Sequence, residues 1–232
     1  MALNLHSLCG FPSVGAFKKA GNKPDDKHWI GYNLVKCAKL EPFKGYSNIT
    51  FSGQNYRIDK DSRQVIVDLF GKWGAAKISS VGLTEVDLVP IPSSKLTIVG
   101  GDCTAKILAH SIAKQNPKFN LSHSLAFKEL RDSDHGKRET EGIEKPKRQS
   151  QDEIFRNFFH GNLPTKGRNI VLVDDVCTQG FHLLAAANYL RKHGLKVEHA
   201  LCVGRTVWEP ADNPLSMPPE DLEASLFAFF ED

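Results

Sequence analysis

The sequence has no two cysteines close enough to read as a C-x-x-C pair. Its five, Cys9, Cys37, Cys103, Cys177 and Cys202, are odd in number and far apart. That excludes a disulfide framework and argues against a structural zinc site. A reducing cytoplasm is the expected compartment. No apolar run approaches the roughly 20 residues that a membrane span needs, so no membrane partner is expected. The start, "MALNLHSLCGFPSVGAFKK", carries no basic stretch ahead of an apolar core, so no secretory leader is expected. The formal charge is only +3, and no basic stripe is interleaved with aromatics, so nucleic acid is not an expected partner. The nine histidines show no H-E-x-x-H and no close ligand spacing. There is no GxxxxGK[ST], which excludes a P-loop. No strand is followed by GxGxxG, which excludes a dinucleotide fold.

What is present suits one large domain, or one domain with an appendage, in 232 residues. Residues 1 to about 60 show no clear pattern; "NKPDD" and "EPFKGYSN" are turn-rich, and "NITFSGQNYRID" alternates as a hairpin or edge strand would. "SRQVIVDLFGKWGAAK" places Val65, Leu69 and Trp73 on one helical face, with Ile66 and Phe70 beside them. From residue 85 strands and helices alternate. "VDLVPIP" reads as a buried strand. "GGDCTAKILAHSIAKQN" reads as a helix with Asp102 or Thr104 near its N-cap and Ile107, Leu108 and Ile112 inward. "SHSLAFKEL" reads as a second strand, and the charged stretch from Arg131 to Glu153 as a loop. "NIVLVDD" is a third strand. "FHLLAAANYLRKHG" is a helix closed by Gly194, and "KVEHALCVGRT" a fourth strand. "PPEDLEASLFAFFED" reads as a terminal helix with Pro219 in its first turn. The expected fold is α/β, a mostly parallel sheet flanked by helices. An accessory or hood region would span 1–80 and the core 81–232.

The stretch "RNIVLVDDVCTQGFHLL" concentrates the chemistry. An apolar strand, Ile170 to Val173, runs into two adjacent carboxylates, Asp174 and Asp175. In an open α/β sheet, ligands bind outside the carboxyl ends of strands. The turn that follows, Val176, Cys177, Thr178, Gln179, Gly180 and Phe181, leads into a helix N-terminus. Free amides and the helix dipole favour a phosphate there, and Gly180 lets the backbone approach closely. Carboxylates for hydroxyls or a metal, about one sugar away from amides for a phosphate, describe a site for a phosphorylated sugar. Cys177 could be a low-pKa thiol in such a turn, although no base is placed beside it by sequence.

These residues resemble the PRPP-binding signature of the type I phosphoribosyltransferases; PRPP is the 5-phosphoribosyl donor carrying a 1-pyrophosphate. The closest likeness is to the competence-associated ComF-like branch, through "SQDEIFRNFFHG" ahead of the signature. The resemblance spans about residues 85 to 206. It implies that Asp174 and Asp175 grip the ribose 2- and 3-hydroxyls, directly or through the water of a bound Mg²⁺. It implies that Val176 to Phe181 cradle the 5-phosphate. "DLVPIPSSK" resembles the pyrophosphate loop, which would be Pro92, Ser93, Ser94 and Lys95, with Lys95 as its cation. Arg131 to Ser150 lies where the family has its catalytic loop, with Arg131, Lys137 and Arg138 as cations. The function implied is Mg²⁺-dependent transfer of 5-phosphoribose to an acceptor that the resemblance does not identify. A binding module for PRPP or a nucleotide, or a DNA-handling accessory, are the other readings. A homodimer is one assembly left open. Two features depart from the family: Gln179 and His182 stand where small hydroxyl residues are usual, and the Cys-rich zinc segment of the ComF-like branch is absent. Trp208, after the fourth strand, is a candidate for lining an acceptor pocket.

Overall fold

Every residue from Val86 to Pro90 is buried, as a strand covered on both faces requires. In the computed structural model, which describes residues 2–21, 24–129 and 150–228, this run is β4. It lies in a six-stranded sheet ordered β10-β1-β9-β8-β4-β5. The others are β1 (Asn4–Pro12), β5 (Phe119–Leu121), β8 (Asn169–Cys177), β9 (Lys196–Val207) and β10 (Glu220–Asp221). Strands β1, β9, β8, β4 and β5 run parallel, and β10 alone is antiparallel, on β1.

Helices cover both faces. Helices α2 (Asp26–Ala38), α3 (Arg63–Ser80) and α4 (Thr104–Ala113) pack on the face that carries Val171 and Val173. Helices α5 (Gln151–Asn157) and α6 (Phe181–Lys192) pack on the face that carries Ile170 and Leu172. Alternate residues of β8 therefore feed two apolar clusters, the period-two consequence of a strand between two layers. Short α1 (Val14–Ala20) follows β1, and α7 (Leu222–Ala228) follows β10. Strand β1, from the first twelve residues, and helix α2 belong to the same sheet and core as β8 and β9.

The α3 helix and the hairpin of β2 (Ser47–Phe51) and β3 (Gln54–Ile58) form where the pattern predicts. The α6 helix ends at Gly194 with φ of 80°, as expected. Three local readings change. Cys103, between Asp102 and Thr104, is the N-cap of α4, and Leu108 and Ile112 face inward as expected, but Ile107 is 38% exposed. The second strand of the sheet is the three-residue β5. Leu125–Phe127 instead forms β6, paired antiparallel with β7 (Phe158–His160) in a separate ribbon. Pro219 stands ahead of β10 rather than inside the terminal helix, which starts at Leu222. The charged stretch lies largely outside the described residues. Its end, Ser150, closes a capping box with Glu153 and starts α5. Among the described residues no helix is long and apolar enough to cross a membrane.

Candidate functional site

The chain leaves β4 through α4 toward β5, and leaves β8 through α6 toward β9. These excursions go to opposite sides of the sheet, and right-handed crossovers put α4 and α6 on opposite faces. The strand order therefore reverses between β4 and β8. In an open α/β sheet that switch point leaves a crevice at the carboxyl ends of the two strands.

Asp174 and Asp175 stand at this point. They lie within β8 rather than after it: Asp174 pairs with Cys202 and Val176 with Gly204 on the β9 side. On the other side, pairing with β4 stops at Pro90 and Val173, and the Ile91 N–H closes it by donating to the Val173 carbonyl at 2.8 Å. One edge of β8 is thus held while the other opens beside the carboxylates. Both residues are half-buried. The Asp175 N–H donates to Asp174 Oδ1 at 2.8 Å. Burial first, and the Asp175 charge second, hold the Asp174 carboxyl well above the usual carboxylate range. The like-charge pair therefore favours a shared proton or a nearby cation.

Beyond β4, Ile91 and Pro92 are buried while Ser93 and Lys95 are exposed. The Ser93 carbonyl accepts from the Leu96 N–H at 2.9 Å and its Oγ from the Lys95 N–H at 3.3 Å, which folds Pro92 to Lys95 into a tight turn. Cys103, at the head of α4, links this turn to the carboxylates. Its Sγ lies 3.8 Å from the Ile91 carbonyl, and its thiol is pushed up by burial and also by Asp174 and Asp175. The two predicted elements, separated by about 80 residues of sequence, therefore meet.

On the other flank, Thr178 and Gln179 are exposed and Gly180 is buried, with φ of 78° at the N-cap of α6. That conformation, with Leu222 Cδ2 only 3.1 Å from where a Cβ would stand, explains the glycine. The first amides of this twelve-residue helix, which have no partner within the helix, follow directly on the carboxyl end of β8. Burial holds the Cys177 thiol far above its ordinary range, with Asp174 adding to the effect, so Cys177 is not an activated thiolate. His182 packs its ring edge-on to Phe127 at 6.3 Å. Trp208 is 62% exposed and lies over Gly15 of α1. Trp73 packs on Phe70 in the core. Arg131, Lys137 and Arg138 lie outside the described residues.

The sequence reading missed Lys39. It caps the C-terminus of α2, carries a mostly sequestered side chain, and acts electrostatically on Asp175 and, less strongly, on Asp174. No linear signal marks it, because α2 was not legible and 135 positions separate it from Asp174.

Asp174 and Asp175 offer oxygen donors suited to a hard cation such as Mg²⁺. Among the described residues no group of three or more His, Cys, Asp or Glu side chains could hold a metal. The pair fits a magnesium that keeps its water and takes its remaining ligands from a phosphorylated molecule, and it does not fit a protein-enclosed metal.

The chain matches no protein-family model and no curated protein. Among solved structures, "Structure of AQ2163 protein from Aquifex aeolicus" is similar at 13% identity over 90% of each chain, with a TM-score of 0.30, a likeness too slight to carry an argument.

Proposed function

We propose that this chain binds Mg²⁺ and 5-phosphoribosyl pyrophosphate, or a closely related phosphorylated sugar, and transfers 5-phosphoribose to an acceptor. One observation carries the reading. The paired aspartates stand at the switch point between two loops, one opening a helix and one following the neighbouring strand. A pentose with anionic groups at both ends needs this order of parts: amides for the 5-phosphate, carboxylates for the hydroxyls, and a second turn for the diphosphate.

In this reading Asp174 and Asp175 accept from the ribose hydroxyls and hold the ring still while the bond to diphosphate breaks. The Val176–Phe181 amides hold the 5-phosphate, and Gly180 keeps that approach open. Ser93, Ser94 and Lys95 receive the departing diphosphate, and magnesium, when bound, offsets its charge. Arg131 is assigned to the same task by its place in the sequence. A second reading, binding without turnover, is favoured by the turn itself, where Thr178 is the one hydroxyl side chain between Val176 and His182.

Calorimetric titration of PRPP, with and without Mg²⁺, tests the proposal. Wild type should bind in a Mg²⁺-dependent way, and the Asp174→Asn/Asp175→Asn double variant should not. Folded wild type that fails to bind PRPP would overturn it. Binding without pyrophosphate release across an acceptor screen would select the second reading.

A further inference from the structure

The turn behind the carboxylates enters α6 through a glycine. Gly180 is the N-cap of that helix. An N-cap is usually an extended residue whose side-chain oxygen fixes the first helical amides. Gly180 makes no side-chain cap bond and stands in the left-handed region at φ of 78°. Glycine is also the residue with the most backbone freedom to lose. The direction of the first α6 amides therefore depends on what packs against Gly180.

What packs there comes from 42 residues further along the chain, at Leu222. Its Cδ2, Cδ1 and Cγ lie 3.1, 3.3 and 3.6 Å from where a Cβ on Gly180 would stand. Leu222 is 3% exposed and belongs to the same apolar cluster as Leu183 and Leu184 of α6. Its backbone is fastened as well. The Leu222 N–H donates to the Leu3 carbonyl at 3.0 Å. Asp221 Oδ1 accepts from the Glu223 and Ala224 N–H groups at 3.0 and 3.3 Å. Two paired carboxylates flank Leu222: Glu220 with Arg205, and Glu223 with Arg191 in the last turn of α6. Arg205 is the β9 residue opposite Cys177 of the turn. The segment 220–224 is thus joined to the strand beside the turn, to the glycine that ends it, and to the far end of the helix that follows.

We propose that Leu222 is a positioning residue for the Val176–Phe181 turn, and that docking of the segment 220–224 and binding of a sugar phosphate at the turn support each other. This rests on the reading of the turn as a phosphate site. Buried as it is, Leu222 touches no ligand. It holds Gly180 so that the α6 amides keep one direction, and a phosphate gripped by those amides holds Gly180 in return. Linkage makes the two effects equal in size. A turn that is competent about a tenth of the time without the leucine would bind about tenfold more weakly.

The test uses the full chain, with ribose 5-phosphate as the probe in calorimetry and amide hydrogen exchange followed with and without it. Wild type, Leu222→Ala and Leu222→Met are compared with Leu195→Ala, a buried change in the same cluster. Leu222→Val replaces Leu222→Ala if that variant does not fold. Leu222→Ala should weaken ribose 5-phosphate about tenfold and, without ligand, speed exchange at the amides of residues 178–181. Methionine, close to leucine in volume, should restore most of the affinity. Leu195→Ala should lower the melting temperature and leave the affinity unchanged. In wild type, ribose 5-phosphate should slow exchange at the amides of residues 222–224. Unchanged affinity and turn exchange in Leu222→Ala, an equal loss of affinity in Leu195→Ala, or no slowing at residues 222–224 would overturn the proposal and leave the proposed function standing. Folded wild type that binds neither ribose 5-phosphate nor PRPP would overturn the proposed function, and the coupling with it.

Discussion

Replacing Asp174 with asparagine should stabilise the protein at neutral pH while weakening its ligand binding. The carboxyl follows three buried valine and leucine positions of β8 and sits beside Asp175. Burial and that neighbouring charge raise its pKa, and Lys39 opposes them only in part. The folded state therefore holds the Asp174 proton more tightly than the unfolded chain does. Stability from the neutral carboxyl is complete below the unfolded value of about 3.9 and is lost as pH rises through the folded one. Above that, ionised Asp174 costs about 1.4 kcal/mol for each pH unit between the two values. Asparagine has the same shape, keeps an oxygen for the Asp175 N–H, and never ionises. For a chain of this size, 1 kcal/mol moves the melting temperature by about 2–4 °C. The variant should therefore melt about 3–5 °C above wild type at pH 7 for each unit of elevation. The gap should close as the pH falls to about 4, where both side chains are neutral. Calorimetric melts of both proteins from pH 4 to 8 measure this. A variant that melts below wild type at pH 7, or a gap that does not change with pH, would refute the electrostatic reasoning. Gain of stability with loss of binding is the signature of a residue kept for its chemistry.

Three further outcomes are expected. His6 is stacked on His199, and burial, with help from His199 and Lys77, pushes it down to about 4. Its neutral form supports the fold fully above the unfolded value, and that support is lost as pH falls toward about 4. The loss should be about 3 kcal/mol, and His6→Leu should flatten that part of a melting-temperature profile. Gly31 lets α2 touch β1, since a Cβ there would stand 1.8 Å from the Gly10 carbonyl oxygen. Gly31→Ala should cost about 3 kcal/mol or more in urea unfolding, and a loss below about 1 kcal/mol would show that the two elements can separate easily. Leu40, just past α2, has φ of 56°. Leu40→Gly should relieve this left-handed strain and stabilise by about 1 kcal/mol; a lower melting temperature would mean that the leucine side chain makes contacts the turn needs.

The elements legible in the sequence were those whose burial matches their hydrophobicity. Ile170–Val173 is apolar and buried, Val86–Pro90 is buried throughout with Asp87 as its one charged residue, and the α3 face buries Ile66, Leu69 and Phe70 with Val65 and Trp73 at its margin. Strand β1 was not legible, although it lies between β9 and β10. Its run "NLHSLCGFP" interrupts the apolar residues with His6, Ser7 and Gly10, and both His6 and Ser7 are buried. Their burial depends on tertiary partners, His199 for His6 in particular, and no local pattern encodes a partner nearly 200 residues away. The same limit applies to β5 and β10, whose three and two residues are too short to show a period. It also explains why Leu125–Phe127 read as a sheet strand: its composition suits any buried strand, and only the pairing with Phe158–His160 decides which sheet it joins.

The candidate site divides along the same line. The carboxylates, the turn behind them and the loop after β4 are local signals, a strand followed by residues that a buried strand would not choose. What the sequence could not express is why two like charges can remain there. Pairing of β8 with β9 continues past Asp174 while pairing with β4 stops at Val173, so the backbone is fixed on one side and open on the other. The fixed side holds the carboxylates together against their repulsion. The open side leaves the carboxylates beside the turn that follows β4. The repulsion raised by two adjacent aspartates is thus met by backbone pairing that fixes the strand carrying them. The N-terminal segment is tied to the site through the sheet, since β1 pairs with β9 and β9 holds β8 past Asp174.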